Sequence, residues 1–255
     1  MMKIACLADL HLRGKGLFGS GRTDLLPQLV HYSKQQDVDH LIICGDIVRT
    51  LGDPKDKYHF TPLRTKLKAS NYYNYTRCTY VPGNHDYQKP RLIYTVHRNP
   101  TILRQIMLKL NHKNRRPTCY TYPFIKKMDG VAIVGINTVS LKDDSSIFGH
   151  ITEKQYYELK RLLEIAAYEG THIIVAMHHP PWDIIDYDEK IMKVFKEFNV
   201  NTVVYGHEHE NEHHIESGVH YYCVGGAYAE GKLLVIDIDR GRTVRRFMRW
   251  KSPKK

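Results

Sequence analysis

Five short polar clusters in this chain carry side chains of the kinds that bind metal ions. They are Asp9-x-His11, Gly45-Asp46, Gly83-Asn84-His85-Asp86, His178 and Gly206-His207-x-His209. Each alone has a plain structural explanation. A Gly-Asp after a strand is commonly a turn, and G-N-H-D fits an Asx turn. Together they offer carboxylate, amide and imidazole donors and no thiolate, a set suited to Mn first, and to Fe, Zn or Ni. Seven donors, Asp9, His11, Asp46, Asn84, His178, His207 and His209, exceed what one ion needs. Two divalent ions sharing a bridging carboxylate account for the number.

The clusters fall at regular places. Short apolar runs precede each of them: Lys3–Ala8, His40–Cys44, Cys78–Pro82, Thr171–Met177 and Asn201–Tyr205. Their length and β-branched content predict buried strands. Amphipathic stretches at Thr23–Gln36, Thr152–Tyr168 and Asp188–Phe198 predict helices between them, the second opened by Thr152 with Gln155 and stopped by Gly170. Alternating strands and helices predict an α/β fold, in which residues just past the carboxyl ends of strands converge on one crevice. Toward the C-terminus, Val219–Gly225, Lys232–Asp239 and Thr243–Arg249 read as consecutive strands that pair antiparallel in a second sheet. No repeat and no Pro-, Gly- or Ser-rich linker divides the chain, so residues 1–255 are read as one domain.

In this order the clusters resemble the signature of the calcineurin-like metallophosphoesterases: D-x-H, G-D, G-N-H-D/E, H and G-H-x-H. The resemblance spans about residues 3–240. It implies a four-layer αββα sandwich of two mixed sheets flanked by helices. It implies that Asp9, His11 and His209 hold one metal, that Asn84, His178 and His207 hold the other, and that Asp46 bridges them. His85 would face the substrate phosphate, and Asp86 would orient His85. The residue types suit the reaction. Two cations neutralise the phosphate oxygens and generate hydroxide near neutral pH, and a positioned imidazole can protonate the leaving oxygen.

Departures from the patterns of particular branches narrow the reading. Ile47-Val48-Arg49-Thr50 follows the Asp46 motif where protein Ser/Thr phosphatases have V-D-R-G. Arg49 stands where purple acid phosphatases have a tyrosine, and His85 where the lipid A precursor hydrolases have an arginine. Gly149-His150-Ile151-Thr152-x-x-Gln155, leading to His178-His179-Pro180-Pro181, is similar to the cyclic-nucleotide-phosphodiesterase-like branch. That similarity implies a phosphodiesterase class more than a particular substrate; a nucleotide is the expected substrate, and Arg49 and His179 are the expected substrate contacts. His213 and His214 read as a solvated loop.

The charge pattern supports a competing idea. Net charge is +11, and residues 57–128 hold fifteen basic side chains against one acidic, Asp86. This basic, insert-like region, about residues 50–117, interleaves Tyr58, Phe60, Tyr72, Tyr73 and Tyr75 with lysine and arginine. Cations beside stacking rings suit a nucleic acid, so a nuclease or an end-processing phosphatase is the alternative. Asp9-Leu10-His11-Leu12 also resembles the opening of the double-strand-break repair nucleases. A steering field for any anion is the plainer reading of the same charges. A third possibility is a binding scaffold without activity. Such members of the superfamily, the retromer subunit among them, typically lose ligands, and this chain keeps all seven positions and His85.

Composition sets the remaining bounds. At 255 residues with 42% hydrophobic and 25% charged side chains, the chain is ordinary for a globular protein. No apolar run approaches the ~18 residues of a membrane span. The first apolar run leads directly into Asp9, which leaves no room for a cleaved leader. Five scattered cysteines with no C-x-x-C spacing read as free thiols in a reducing compartment, so a cytoplasmic location is expected.

Overall fold

The computed structural model describes residues 1–12, 25–47, 60–86, 110–111, 122–139 and 147–249. Arg49, Tyr58 and most of the basic region at 50–117 lie outside these residues.

Two mixed sheets form the frame. In the first, β1 (Met2–Leu7) lies parallel to β2 (His40–Cys44), which lies parallel to β3 (Cys78–Val81). On the other side of β1 is the antiparallel hairpin β10 (Lys232–Asp239) and β11 (Arg242–Arg249). The second sheet runs in the order β4 (Phe124–Met128), β5 (Val131–Gly135), β6 (His172–Ala176), β7 (Thr202–Tyr205), β9 (Val219–Val224), β8 (Asn211–Glu216). Its four central strands, β5, β6, β7 and β9, are mutually parallel.

Side-chain alternation along each strand builds the layers. In β1, Ile4 and Cys6 face the second sheet and pack with Ile133, Ile174 and Val204, while Ala5 and Leu7 face outward to Leu29 of α1 (Leu25–Gln35) and Leu67 of α2 (Phe60–Ala69). The second sheet does the same. Val175 and Val203 turn outward to Leu159 and Leu163 of α3 (Glu153–Tyr168) and to Val194 and Phe195 of α4 (Asp188–Glu197). Helix, sheet, sheet, helix is the expected αββα sandwich. Strands buried on both faces explain why β2, β3 and β7 read as unbroken apolar runs rather than alternating ones.

Helix α3 begins where the sequence placed it. Thr152 accepts from the Gln155 N–H at 3.2 Å, and the Gln155 side chain accepts from the Thr152 N–H at 2.9 Å, a reciprocal cap. A short helix α5 (Ala227–Glu230) links β9 to β10.

The C-terminal strands depart from expectation. β9 is not antiparallel to β10. It joins the second sheet parallel to β7, and only β10 and β11 form the predicted hairpin, within the first sheet. His213 and His214 lie not in a loop but on β8, an edge strand that touches the sheet only through β9. Cys6, Cys44, Cys78 and Cys223 are buried free thiols, as expected; Cys119 lies outside the described residues.

Candidate metal centre

All five clusters sit past the carboxyl ends of strands: Asp9 and His11 after β1, Asp46 after β2, Asn84 to Asp86 after β3, His178 and His179 after β6, His207 and His209 after β7. Beyond the sheets the loops hold one another. The N–H groups of Asp9, His11 and Leu12 donate to the carbonyls of Gly45, Asp46 and Ile47, and the Gly206 N–H donates to the His178 carbonyl. Five of these residues, Asp9, His11, Asp46, His207 and His209, have positive φ between 41° and 73°. That left-handed backbone is uncommon outside Gly, though Asn, Asp and His enter it more readily than other residues, and here all five are Asp or His. Gly83 permits the close approach of two loops: a Cβ there would lie 2.2 Å from Asp46 Oδ1 and 2.4 Å from the Asp46 nitrogen.

The donors gather in two groups that meet at Asp46. In one, His11 Nε2 lies 2.9 Å from His209 Nε2, and each lies 3.8 Å from Asp9 Oδ1. In the other, His178 Nε2 lies 2.8 Å from Asn84 Oδ1 and 3.5 Å from Asp46 Oδ1. His178, His179 and His207 bring ring nitrogens within 4.8 Å of one another. Asp46 reaches both groups, since its Oδ2 is 3.9 Å from His11 Nε2.

Three observations test whether these residues suit metal ions. Asp9 Oδ1 is buried with no hydrogen-bond partner, a costly state for a carboxylate oxygen unless something cationic faces it. His178 is held between two acceptors, Cys44 O at Nδ1 and Asn84 Oδ1 at Nε2, both at 2.8 Å. Neither neutral tautomer satisfies both, and complete burial, then His179 and His207, hold the doubly protonated form well below its usual range. An Nδ1–H donated to Cys44 O, with the Nε2 lone pair on a cation, resolves the conflict and is how ligating histidines are commonly oriented. Finally, burial and then the carboxylates of Asp9 and Asp86 push the Asp46 carboxyl well above the usual range, against the pull of the His85 N–H. Asp9 is pushed up likewise by burial and then by Asp86, against the pull of the His207 N–H. Facing buried carboxylates call for positive charge. The donor set fits.

Around the donors are positioning contacts. Burial holds the His207 imidazole below its usual range, an effect partly offset by the Ile147 backbone, and the His207 backbone N–H donates to Asp9 Oδ2 at 3.0 Å. His85 donates its N–H to Asp46 Oδ1 at 2.8 Å, and its ring meets the His11 ring edge-on at 4.8 Å. Its side chain is 30% exposed, which leaves it at the open face of the site. The buried Asp86 accepts from the Tyr80 hydroxyl at 2.5 Å and from the Gly83 N–H at 3.0 Å, so it shapes the loop that presents Asn84 and His85. His179 is buried beside His178, with Nδ1 2.8 Å from Thr138 Oγ1 and its ring against His207. Tyr80 and Thr138 went unread in the sequence. A hydroxyl inside a strand or after one carries no motif, and both act only through a partner.

In the described part of the basic stretch Tyr72 is buried, while Tyr73 and Tyr75 are half-buried. Tyr72 donates to the Val38 carbonyl at 2.6 Å and carries Arg77 over its face. Lys126 is buried, donates to the carbonyls of Cys78 and Leu110 and lies over Tyr75. Burial lowers its ammonium to about 7. These groups are spent on packing.

The chain belongs to the calcineurin-like phosphoesterases, whose family model matches residues 2–211. It is accordingly a metal-dependent phosphoester hydrolase, of a family that works with a pair of divalent ions, and its Asp and His groups fit such a pair. Among solved structures it is similar to a dimetal phosphatase from Danio rerio, at 14% identity and a TM-score of 0.72, covering 96% of this chain and 95% of that one. It is also similar to GAP50, described as the anchor in the inner membrane complex of Plasmodium, at 16% identity and 0.63, covering 99% and 86%. A putative 5'-nucleotidase from Staphylococcus aureus matches at 13% identity and 0.57, covering 99% of this chain and 55% of that one. At these identities the likeness is one of fold, and function has to be argued from the site. No curated protein matches the sequence. Among the described residues, no helix is long and apolar enough to cross a membrane.

Proposed function

We propose that the chain hydrolyses a phosphodiester of a nucleotide, with Asp9, His11 and His209 on one divalent ion, Asn84, His178 and His207 on the other, and Asp46 between them. Mn is the proposed metal, on the ground of mixed imidazole and oxygen donors. The observation that carries the reading is the meeting of two donor groups at Asp46, with the half-open His85 imidazole beside it. When bound, the ions would neutralise the phosphate oxygens and activate water. The chain's residues supply the rest. His85, with its N–H tied to Asp46 and its ring partly exposed at the open face, gives a proton to the leaving oxygen. Asp86, held by Tyr80, fixes the loop on which His85 and Asn84 sit. Thr138 holds His179 against His207, where it lines the phosphate side. Preference for a nucleotide rests on the resemblance around Gly149–Gln155 and His178–Pro181, and the sharing of the fold with a putative 5'-nucleotidase is in keeping with it.

The test is hydrolysis by the Mn-loaded chain of bis(p-nitrophenyl) phosphate, p-nitrophenyl phosphate, 2′,3′- and 3′,5′-cyclic nucleotides, and labelled DNA and RNA at low and high salt. Cleavage of diester and cyclic nucleotides with little response to salt is expected. Salt-sensitive cleavage of polymers alone would refute the small-substrate reading in favour of a nuclease. No hydrolysis by the metal-loaded chain would refute both.

A further inference from the structure

Beside the metal centre lies a small apolar surface that the hydrolytic reading does not use. Two segments form it. Residues 147–149 bond to residues 183–185 through the Gly149 N–H to Asp183 O at 2.9 Å and the Ile185 N–H to Gly149 O at 3.0 Å, with a parallel bridge from Gly149 to Ile184. The pair is packed against the site at Gly149: a Cβ there would stand 2.9 Å from His179 Cβ and 2.4 Å from Ile184 Cδ1, so the loop touches both with no slack. Ile184 is the buried anchor, at 1% exposure. On this fixed base Ile147, Phe148 and Ile185 are exposed by 64%, 50% and 45%.

Single exposed apolar residues are ordinary, but three on two cross-linked segments, adjoining a site of charged and imidazole groups, form a patch with a purpose. Resting on the reading of the centre as a phosphoester site, we infer that this patch is the subsite for the organic part of the ester and takes a flat aromatic group. The phosphate must lie over the donor groups, on the open side where His85 and His209 are partly exposed. Whatever it is esterified to leaves that point sideways, and the loop packed against His179 is one wall of the exit. The wall carries one half-exposed phenyl ring, Phe148, with exposed isoleucines at 147 and 185 on the same paired segments, and an exposed ring stacks a planar group better than it holds a flexible chain. It does not suit a polyanionic strand, since Asp183, Asp186 and Asp188 follow on the same stretch and no lysine or arginine stands on either segment. A nucleobase and a simple aryl group share the recognising chemistry.

Binding separates this inference from turnover. The Mn-loaded chain would be titrated calorimetrically with phenylphosphonate, methylphosphonate, a nucleoside monophosphate and ribose 5-phosphate. Phenylphosphonate should bind roughly tenfold more tightly than methylphosphonate, the scale of one stacked ring. Phe148→Ala should remove that advantage while leaving methylphosphonate affinity and metal content unchanged, and Phe148→Trp should keep it. A like advantage of the nucleotide over ribose 5-phosphate identifies the base as the ring; its absence leaves a simple aryl ester. Equal affinity of the two phosphonates for the wild-type chain overturns the subsite. So does a Phe148→Ala variant that loses both phosphonates equally, or one that alters only self-association. A phenyl advantage in a chain that hydrolyses nothing would refute the hydrolytic reading and uphold the subsite.

Discussion

Asp46→Asn should strengthen the metal-free protein and weaken the metal-loaded one. In the metal-free fold the Asp46 carboxyl is pushed up by burial and then by Asp9 and Asp86. A carboxyl whose folded value lies above its unfolded value leaves stability intact below the unfolded range, near pH 4, and erodes it as pH rises toward the folded value. The erosion is about 1.4 kcal/mol per pH unit over that window. At pH 8 a buried carboxylate without a cation therefore costs several kcal/mol, in line with the ~3–5 kcal/mol of an uncompensated buried charge. Asparagine keeps the shape and an oxygen for the His85 N–H, losing roughly 1 kcal/mol where a charge-assisted bond becomes a neutral one. The net gain is about 2–4 kcal/mol, or roughly 4–16 °C in Tm for a chain of this size. The assay is thermal unfolding of both chains in chelator and in excess Mn, from pH 4 to 8, with metal content by mass spectrometry. The difference in chelator should vanish near pH 4 and grow with pH, and the order should reverse with Mn. A variant less stable than wild type in chelator at pH 8, or one that keeps two ions per chain, would refute the placing of Asp46 between two metals.

Two more expectations come from the residues around the ions. His85→Ala should retain both ions yet lose roughly 10²–10⁴ in kcat on an ester with a poor leaving group, and far less on p-nitrophenyl esters, which need no proton; equal losses on both would remove its role as acid. Tyr80→Phe should cost about 1.5–3 kcal/mol in denaturant unfolding, because it leaves the buried Asp86 oxygen one donor short, and it should lower kcat by misplacing His85; unchanged stability would mean Asp86 finds another donor.

The meeting of the candidate donors was legible because each stands where an apolar run stops, and a strand end is a place in space as well as in sequence. Thr152 with Gln155 likewise announced α3 through a bond between neighbours three residues apart. What stayed hidden depends on distant partners. Asn211–Glu216 is mostly exposed, with two histidines and two glutamates, and it is a strand only because β9 lies beside it. Lys126 and Lys127 masked β4, since nothing local says that Lys126 is buried against the Cys78 carbonyl. The placing of β9 beside β7 rather than β10 is a choice between two sheets that the strand's own residues do not encode. The bonds of Asp86 to the Tyr80 hydroxyl and the Gly83 N–H were likewise out of reach of the sequence, since nothing local marks Tyr80 as a donor.

The left-handed backbone at Asp9, His11, Asp46, His207 and His209 bears on how such a chain changes over generations. Each of those positions would be more comfortable as glycine or as part of a relaxed turn, and the carboxylates would be more comfortable as amides. The particular swaps of carboxylate for amide would raise the stability of the empty fold even where most other substitutions lower it, so that route leads toward a sturdier protein with fewer charged donors. Buried carboxylates gathered with left-handed histidines at one place therefore keep the metal-free fold below the stability its frame could reach.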